Sequence, residues 1–196
     1  MAVITSAGTG VSNTGGTWTG GVVPDATSDV VIQNTHTVTA NGSHTWNSLT
    51  VLSGGTYNGN TEQTTLDGEA DGSGDTTDGY AINIDGAISG STTDIIITTQ
   101  DTTSIDLAAT SGNIRDLTIN HASCVATMYA DVIITGDLTI TAGQLTTGAY
   151  GYGYSILTVA GDVSIASGGT LTGNTSAISF RSLGIADGGT YNATSG

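Results

Sequence analysis

The chain has 196 residues, among them thirty glycines and one proline, and a net charge near −15 from seventeen acidic residues against two arginines and no lysine. That length suits one domain or one solenoid segment. The charge excludes nucleic acid as a partner, because phosphate contacts need clustered Lys and Arg, and it disfavours an anionic membrane for the same reason. Cations and basic surfaces remain as electrostatic partners.

Residues 1–28 differ from the rest. They hold the only proline, Pro24, and one of two tryptophans, Trp18, in Gly16-Thr-Trp-Thr-Gly-Gly-Val-Val-Pro24. The opening Met1-Ala-Val-Ile-Thr-Ser-Ala-Gly8 has no basic region followed by an apolar run, so no signal peptide is expected and synthesis falls in the cytoplasm. No apolar stretch reaches the length of a membrane span.

Asp29-Val-Val-Ile-Gln-Asn-Thr-His-Thr-Val-Thr39 reads as a first pair of strands. A phrase follows that returns later: Ser48-Leu-Thr-Val-Leu-Ser-Gly-Gly-Thr-Tyr-Asn-Gly-Asn60. It comes back as Asp162-Val-Ser-Ile-Ala-Ser-Gly-Gly-Thr-Leu-Thr-Gly-Asn174 and as Ser182-Leu-Gly-Ile-Ala-Asp-Gly-Gly-Thr-Tyr-Asn-Ala-Thr194, with a looser copy at 137–147. Each copy is an apolar-x-apolar strand, a glycine corner and a second strand.

Such apolar doublets recur at Val30/Ile32, Leu49/Val51, Ile82/Ile84, Ile95/Ile97, Leu117/Ile119, Leu138/Ile140, Leu157/Val159, Val163/Ile165 and Leu183/Ile185. Residues two apart share one face of a strand, so each doublet aims at a common interior, with the intervening Thr, Ser and Asn expected to face water. The steps from Leu117 to Leu138, Val163 and Leu183 are 21, 25 and 20 residues. Helical repeats run longer, and the leucine-rich code is missing. A parallel β-helix follows, right-handed by analogy with other parallel crossovers, with residues 1–28 as its N-terminal cap and 29–196 as its rungs. Trp18 is the expected plug over the first rung. About seven rungs spaced about 4.8 Å apart make a rod of roughly 35 Å.

The sharpest candidate for chemistry is Asp67-Gly-Glu-Ala-Asp-Gly-Ser-Gly-Asp-Thr-Thr-Asp78. Counted from Asp67, carboxylates fall at positions 1, 3, 5, 9 and 12 (Asp67, Glu69, Asp71, Asp75, Asp78), with Gly72 at 6. This is close to the EF-hand spacing and points to a calcium loop without flanking helices; the bland alternative is a solvated acidic loop. Otherwise no cofactor is expected. Asp94, Asp116, Asp131 and Asp137 raise glycoside hydrolysis, in which inverting enzymes hold two carboxyls about 6.5–9.5 Å apart. Most of them precede a doublet, where Asp serves as a corner acceptor.

His36, His44 and His121 have no zinc spacing and read as hydrogen-bonding histidines. Cys124 is the only cysteine, which excludes an internal disulfide, and it reads as a small buried hydrophobe. Tyr150-Gly-Tyr-Gly-Tyr154 places Tyr150, Tyr152 and Tyr154 on one side of an extended segment, either a surface for glycan stacking or a neighbouring subunit, or a loop that packs on the rod. The last repeat stops partway at Gly196, so continuation, or cover by another chain, is expected there.

The run Thr17-Trp-Thr-Gly-Gly-Val-Val-Pro24, followed by Asp29-Val-Val-Ile, His36-Thr-Val-Thr39 and Ser48-Leu-Thr-Val51, resembles the opening of eight-glycine-type β-helix proteins, over roughly residues 5–60. The likeness is strongest to structural and tail-associated proteins of tailed bacteriophages. It implies a non-enzymatic virion protein in a tail, fibre or capsid-surface position. The implied partners are other virion proteins, further copies of itself (a trimer included) and a cell-surface glycan. No catalytic residue is carried over. The alternative is a secreted bacterial adhesin or filament subunit, and a polysaccharide-degrading enzyme is third.

Overall fold

The computed structural model describes residues 2–68, 79–89, 92–100, 102–107, 114–148, 155–174 and 177–193. It is an all-β parallel solenoid of about seven turns. A complete turn has three faces. Ser28–Ile32, Thr37–Thr39 and His44–Trp46 make one turn, and Ser48–Val51, Thr56–Asn58 and Gln63–Leu66 make the next.

Each face is a column of parallel strands. The first face runs Ala2–Thr5, Ser28–Ile32, Ser48–Val51, Tyr80–Ile84 and Thr102–Asp106. It continues through residues 125–128 and 144–147 to Gly169–Gly173 and Thr190–Ala193. The second face stacks Gly10–Val11, Thr37–Thr39, Thr56–Asn58 and Ala87–Ile88, and later Val132–Ile134, Leu157–Val159 and Ile178–Ser179. The third runs from His44–Trp46 through Gln63–Leu66, Asp94–Ile97 and residues 117–119 and 138–140 to Asp162–Ile165 and Ser182–Ile185. The long strands Leu117–Met128 and Leu138–Thr147 pass from the third face to the first without a break.

The apolar doublets line the interior. All those before the last turn are at most 2% exposed. Leu117, Leu138, Val163 and Leu183 stand in register on the third face, so the spacing of 20 to 25 residues is one turn. The threonines depart from expectation, because several point inward. Thr64, Thr93 and Thr103 are buried. A buried hydroxyl needs a partner, and each has one: Thr64 Oγ1 bonds the Tyr57 hydroxyl at 2.6 Å, while Thr93 and Thr103 accept the Gly59 and Ala81 N–H at 3.0 and 2.7 Å.

The repeated phrase does not keep one place in the turn. At 48–60 it leads from the first face to the second, whereas at 162–174 and 182–194 it leads from the third to the first. The corner itself is conserved in geometry. Gly54, Gly168 and Gly188 have φ of +83°, +83° and +85°. Gly55 donates to the Leu52 carbonyl at 2.8 Å, with the equivalent bonds at Gly169 and Gly189 both 2.9 Å. This is a turn with glycine in its positive-φ position. The second glycine answers a different need: a Cβ on Gly169 would strike the Ile140 carbonyl of the turn below.

Residues 2–27 both extend the ladder and cover it. Ala2–Thr5 and Gly10–Val11 pair in parallel with the next turn. The chain then crosses back through two short 3-10 turns, Gly15–Thr17 and Thr19–Gly21, and Ser6 bridges Trp18 antiparallel. Trp18 is 2% exposed, donates Nε1–H to the Ser12 carbonyl at 2.8 Å, and meets Trp46 edge-on with ring centroids 6.2 Å apart.

Candidate functional site

Three of the four carboxylates proposed for hydrolysis, Asp94, Asp116 and Asp137, form a column with Asp162 at the vertex before the third face. Asp116 Oδ1 accepts the backbone N–H of Asp137, and Asp137 Oδ1 accepts that of Asp162, both at 2.8 Å. Asp162 Oδ1 accepts the Ser182 hydroxyl at 2.7 Å. The Arg115 guanidinium forks onto both oxygens of Asp94 and lies 3.5 Å from Asp116. Arg181 forks onto Asp162 at 2.9 and 2.8 Å. Asp131, at another vertex, accepts the Ile156 N–H at 2.7 Å.

The Gly-Asp dipeptides follow from this column. A Cβ at Gly136 would land on the Asp116 carboxylate, and one at Gly161 on that of Asp137. Glycine therefore leaves room for the carboxylate of the preceding turn. Arg181 and Ser182 hold the Asp162 carboxyl down to about 2. A general acid for glycoside cleavage needs the opposite shift. Chemically, this column binds turn to turn.

A second cluster lies beside the N-terminal cover. His44 stacks on Trp46 with centroids 4.0 Å apart and planes 28° apart. Its Nδ1 lies 3.0 Å from the Gly42 carbonyl and its Nε2 lies 2.9 Å from the Tyr57 hydroxyl. Burial lowers the His44 pKa, partly countered by the Gly42 carbonyl and the charge of Glu62; burial also raises that of Tyr57. A cleft beside the cluster is lined by Ser12, Asn13, Pro24, Asn41 and Ser43. Nothing in the spacing of residues 44, 46, 57 and 64 announces this group, because it forms only when two turns stack and His44 falls in register with Thr64.

At the far end of the described stack the strand edges are paired differently. Ser182–Ile185 and Thr190–Ala193 are each paired on one side only among the described residues. Ile185 is 46% exposed, and Phe180, Leu183 and Tyr191 are half-buried, with Phe180 edge-on to Tyr191 at 6.3 Å.

Of the proposed calcium loop, Asp67 is exposed at the end of Gln63–Leu66, and partial burial raises the pKa of its carboxyl. Glu69, Asp71, Asp75 and Asp78 lie outside the described residues, as do Tyr150, Tyr152 and Tyr154. Among the described residues no three His, Cys, Asp or Glu side chains converge as a metal site. His36 Nδ1 bonds the Ser6 hydroxyl at 2.8 Å, and His121 Nδ1 accepts the Ser123 N–H at 3.2 Å.

Fold and vertex chemistry together define the class, a parallel β-solenoid whose turns are pinned by side-chain acceptors. Compared with family models, curated proteins and solved structures, the chain matches none.

Proposed function

We propose that this chain is a non-catalytic structural protein, a rigid β-helical rod in the virion of a tailed phage. The observation that carries the structural role is the use of the carboxylates. Asp94, Asp116, Asp131, Asp137 and Asp162 accept hydrogen bonds from the adjoining turns or sit in arginine forks, so they serve the rod's rigidity. The phage setting rests on the resemblance over residues 5–60. A tail, fibre or capsid-surface position, with self-association, fits a rod of this kind.

Mass spectrometry of purified particles and of the particle-free lysate tests the proposal. The reading expects the chain in the particle fraction at a fixed copy ratio to the capsid protein. Enrichment in the free fraction, with release of reducing sugar from host glycan, overturns it.

A further inference from the structure

The cluster around His44 has a direction built into its hydrogen bonds. The Gly42 carbonyl can only accept, so Nδ1 carries the imidazole proton and Nε2 is an acceptor. Two hydroxyls face Nε2, Tyr57 at 2.9 Å and Thr64 Oγ1 at 3.3 Å; the nearer, Tyr57, donates to it, which leaves the Tyr57 oxygen to accept from Thr64 Oγ1. Tyr57 and Thr64 are both fully buried, so no water stands ready to replace a lost partner.

We propose that His44 is an acid-operated clasp on the N-terminal end of the rod. Protonation turns Nε2 into a donor. Nε2, the Tyr57 hydroxyl and Thr64 Oγ1 then present three protons to two oxygens, so whichever way the hydroxyls turn, one buried O–H loses its acceptor. A lone buried donor is costly. The same step places a cation flat against Trp46, a contact that favours the charged ring, so the penalty falls on the buried hydroxyls alone. Tyr57 packs on Trp46 with centroids 5.8 Å apart, and Trp18 rests edge-on against Trp46, so loss of order spreads from Tyr57 through Trp46 to the covering segment.

Among the described residues, the charged and titratable groups around the ring are few. Glu62, in the turn before Gln63–Leu66 and 3.5 Å from the Ser43 hydroxyl, favours the cation. Asp67 follows the same strand, its N–H bonded to the Trp46 carbonyl. Asp25, beyond Pro24 in the covering segment, is occupied by Thr27 and Ser28. Burial outweighs Glu62, and the net direction for His44 is downward. Its folded pKa is thus below its unfolded value, so the unfolded chain takes up the proton first. Stability is full above pH of about 6.5 and falls as pH drops through the folded value.

Nitrogen-detected NMR of the histidine rings, recorded against pH beside near-ultraviolet circular dichroism, tests the clasp. The expected result is an Nδ1–H tautomer for His44 at neutral pH, a titration midpoint below about 6.5, and loss of the tryptophan signal in the same step. Tyr57→Phe removes the donor to Nε2 and should raise the midpoint. His44→Gln should abolish the pH dependence of unfolding between neutrality and the His44 midpoint, a change of roughly tenfold in the unfolding constant per unit of depression. An Nε2–H tautomer, a midpoint at or above the peptide value, or an unaltered acid step in His44→Gln overturns the clasp. Should either variant fail to fold, the tautomer and midpoint of the unmodified protein decide alone.

Discussion

Ser48 Oγ donates to Asp29 Oδ1 at 2.7 Å, and Ser182 Oγ donates to Asp162 Oδ1, one turn away in each case and at the same distance. The two pairs open matching two-turn units, Asp29-Val-Val-Ile beneath Ser48-Leu-Thr-Val and Asp162-Val-Ser-Ile beneath Ser182-Leu-Gly-Ile. The first unit lies on the first face and the second on the third. One sequence device thus pins adjacent turns at two different vertices.

The settings of the two pairs differ, which makes them a controlled comparison. Asp29 is 1% exposed and also accepts the Asn47 side-chain amide at 2.6 Å. Asp29→Ala removes the acceptor of two buried hydrogen bonds and should cost about 2 kcal/mol. The Asp162 side chain is 40% exposed, a setting where ion pairs contribute little, and Asp162→Ala should cost clearly less. Urea unfolding of both variants, compared at equal slope, measures the difference.

The Asp162 carboxyl, held at about 2 against an ordinary 3.8, sets an acid-side dependence. Its folded pKa is below the unfolded one, so its contribution is present above the unfolded value and is lost as pH falls through about 2. Arg181→Gln should move that carboxyl back up and flatten the stability profile in this window. Carboxylate titration by NMR, with melting followed over the same pH range, provides the check.

The two glycines of one corner should respond differently to alanine. Gly168 has φ +83° and open space around its absent Cβ, so Gly168→Ala meets only backbone strain, about 1 kcal/mol. At Gly169 the new methyl meets the Ile140 carbonyl and forces two turns apart. Gly169→Ala should therefore lose more stability than Gly168→Ala in denaturant titrations. Equal losses would remove the close-approach explanation.

Cys124 is fully buried on the first face's approach, and burial pushes its thiol up to about 11. Thiolate is the reactive form, so an aromatic disulfide reagent at neutral pH should leave the folded protein unlabelled. One thiol per chain should react after denaturation. The labelling rate in native buffer then reports opening of this part of the stack.

Much of the solenoid was legible because doublets such as Leu138/Ile140 encode two-residue periodicity inside a turn and a near-constant step between turns. The glycine pair was legible because only glycine tolerates both positive φ and the contact at Gly169. The face on which each copy of the phrase falls was not legible. An apolar doublet and a Gly-Gly corner satisfy any vertex equally, and only the accumulated loop lengths between 60 and 162 set the phase. Inward threonines such as Thr103 were hidden too, since Thr suits either side of a strand until a partner like the Ala81 N–H is in place. Of the vertex carboxylates, the Gly136-Asp137 and Gly161-Asp162 pairs announced corner acceptors. The ring cluster at His44 gave no signal, because its members meet only across turns.

The most direct test of the proposed role is an electron cryo-microscopy map of the phage particle that carries this chain. The account predicts a three-sided column of density, its layers about 4.8 Å apart, attached to tail, fibre or capsid. Particles complete without such a column, with the protein found free and cleaving glycan, would contradict it.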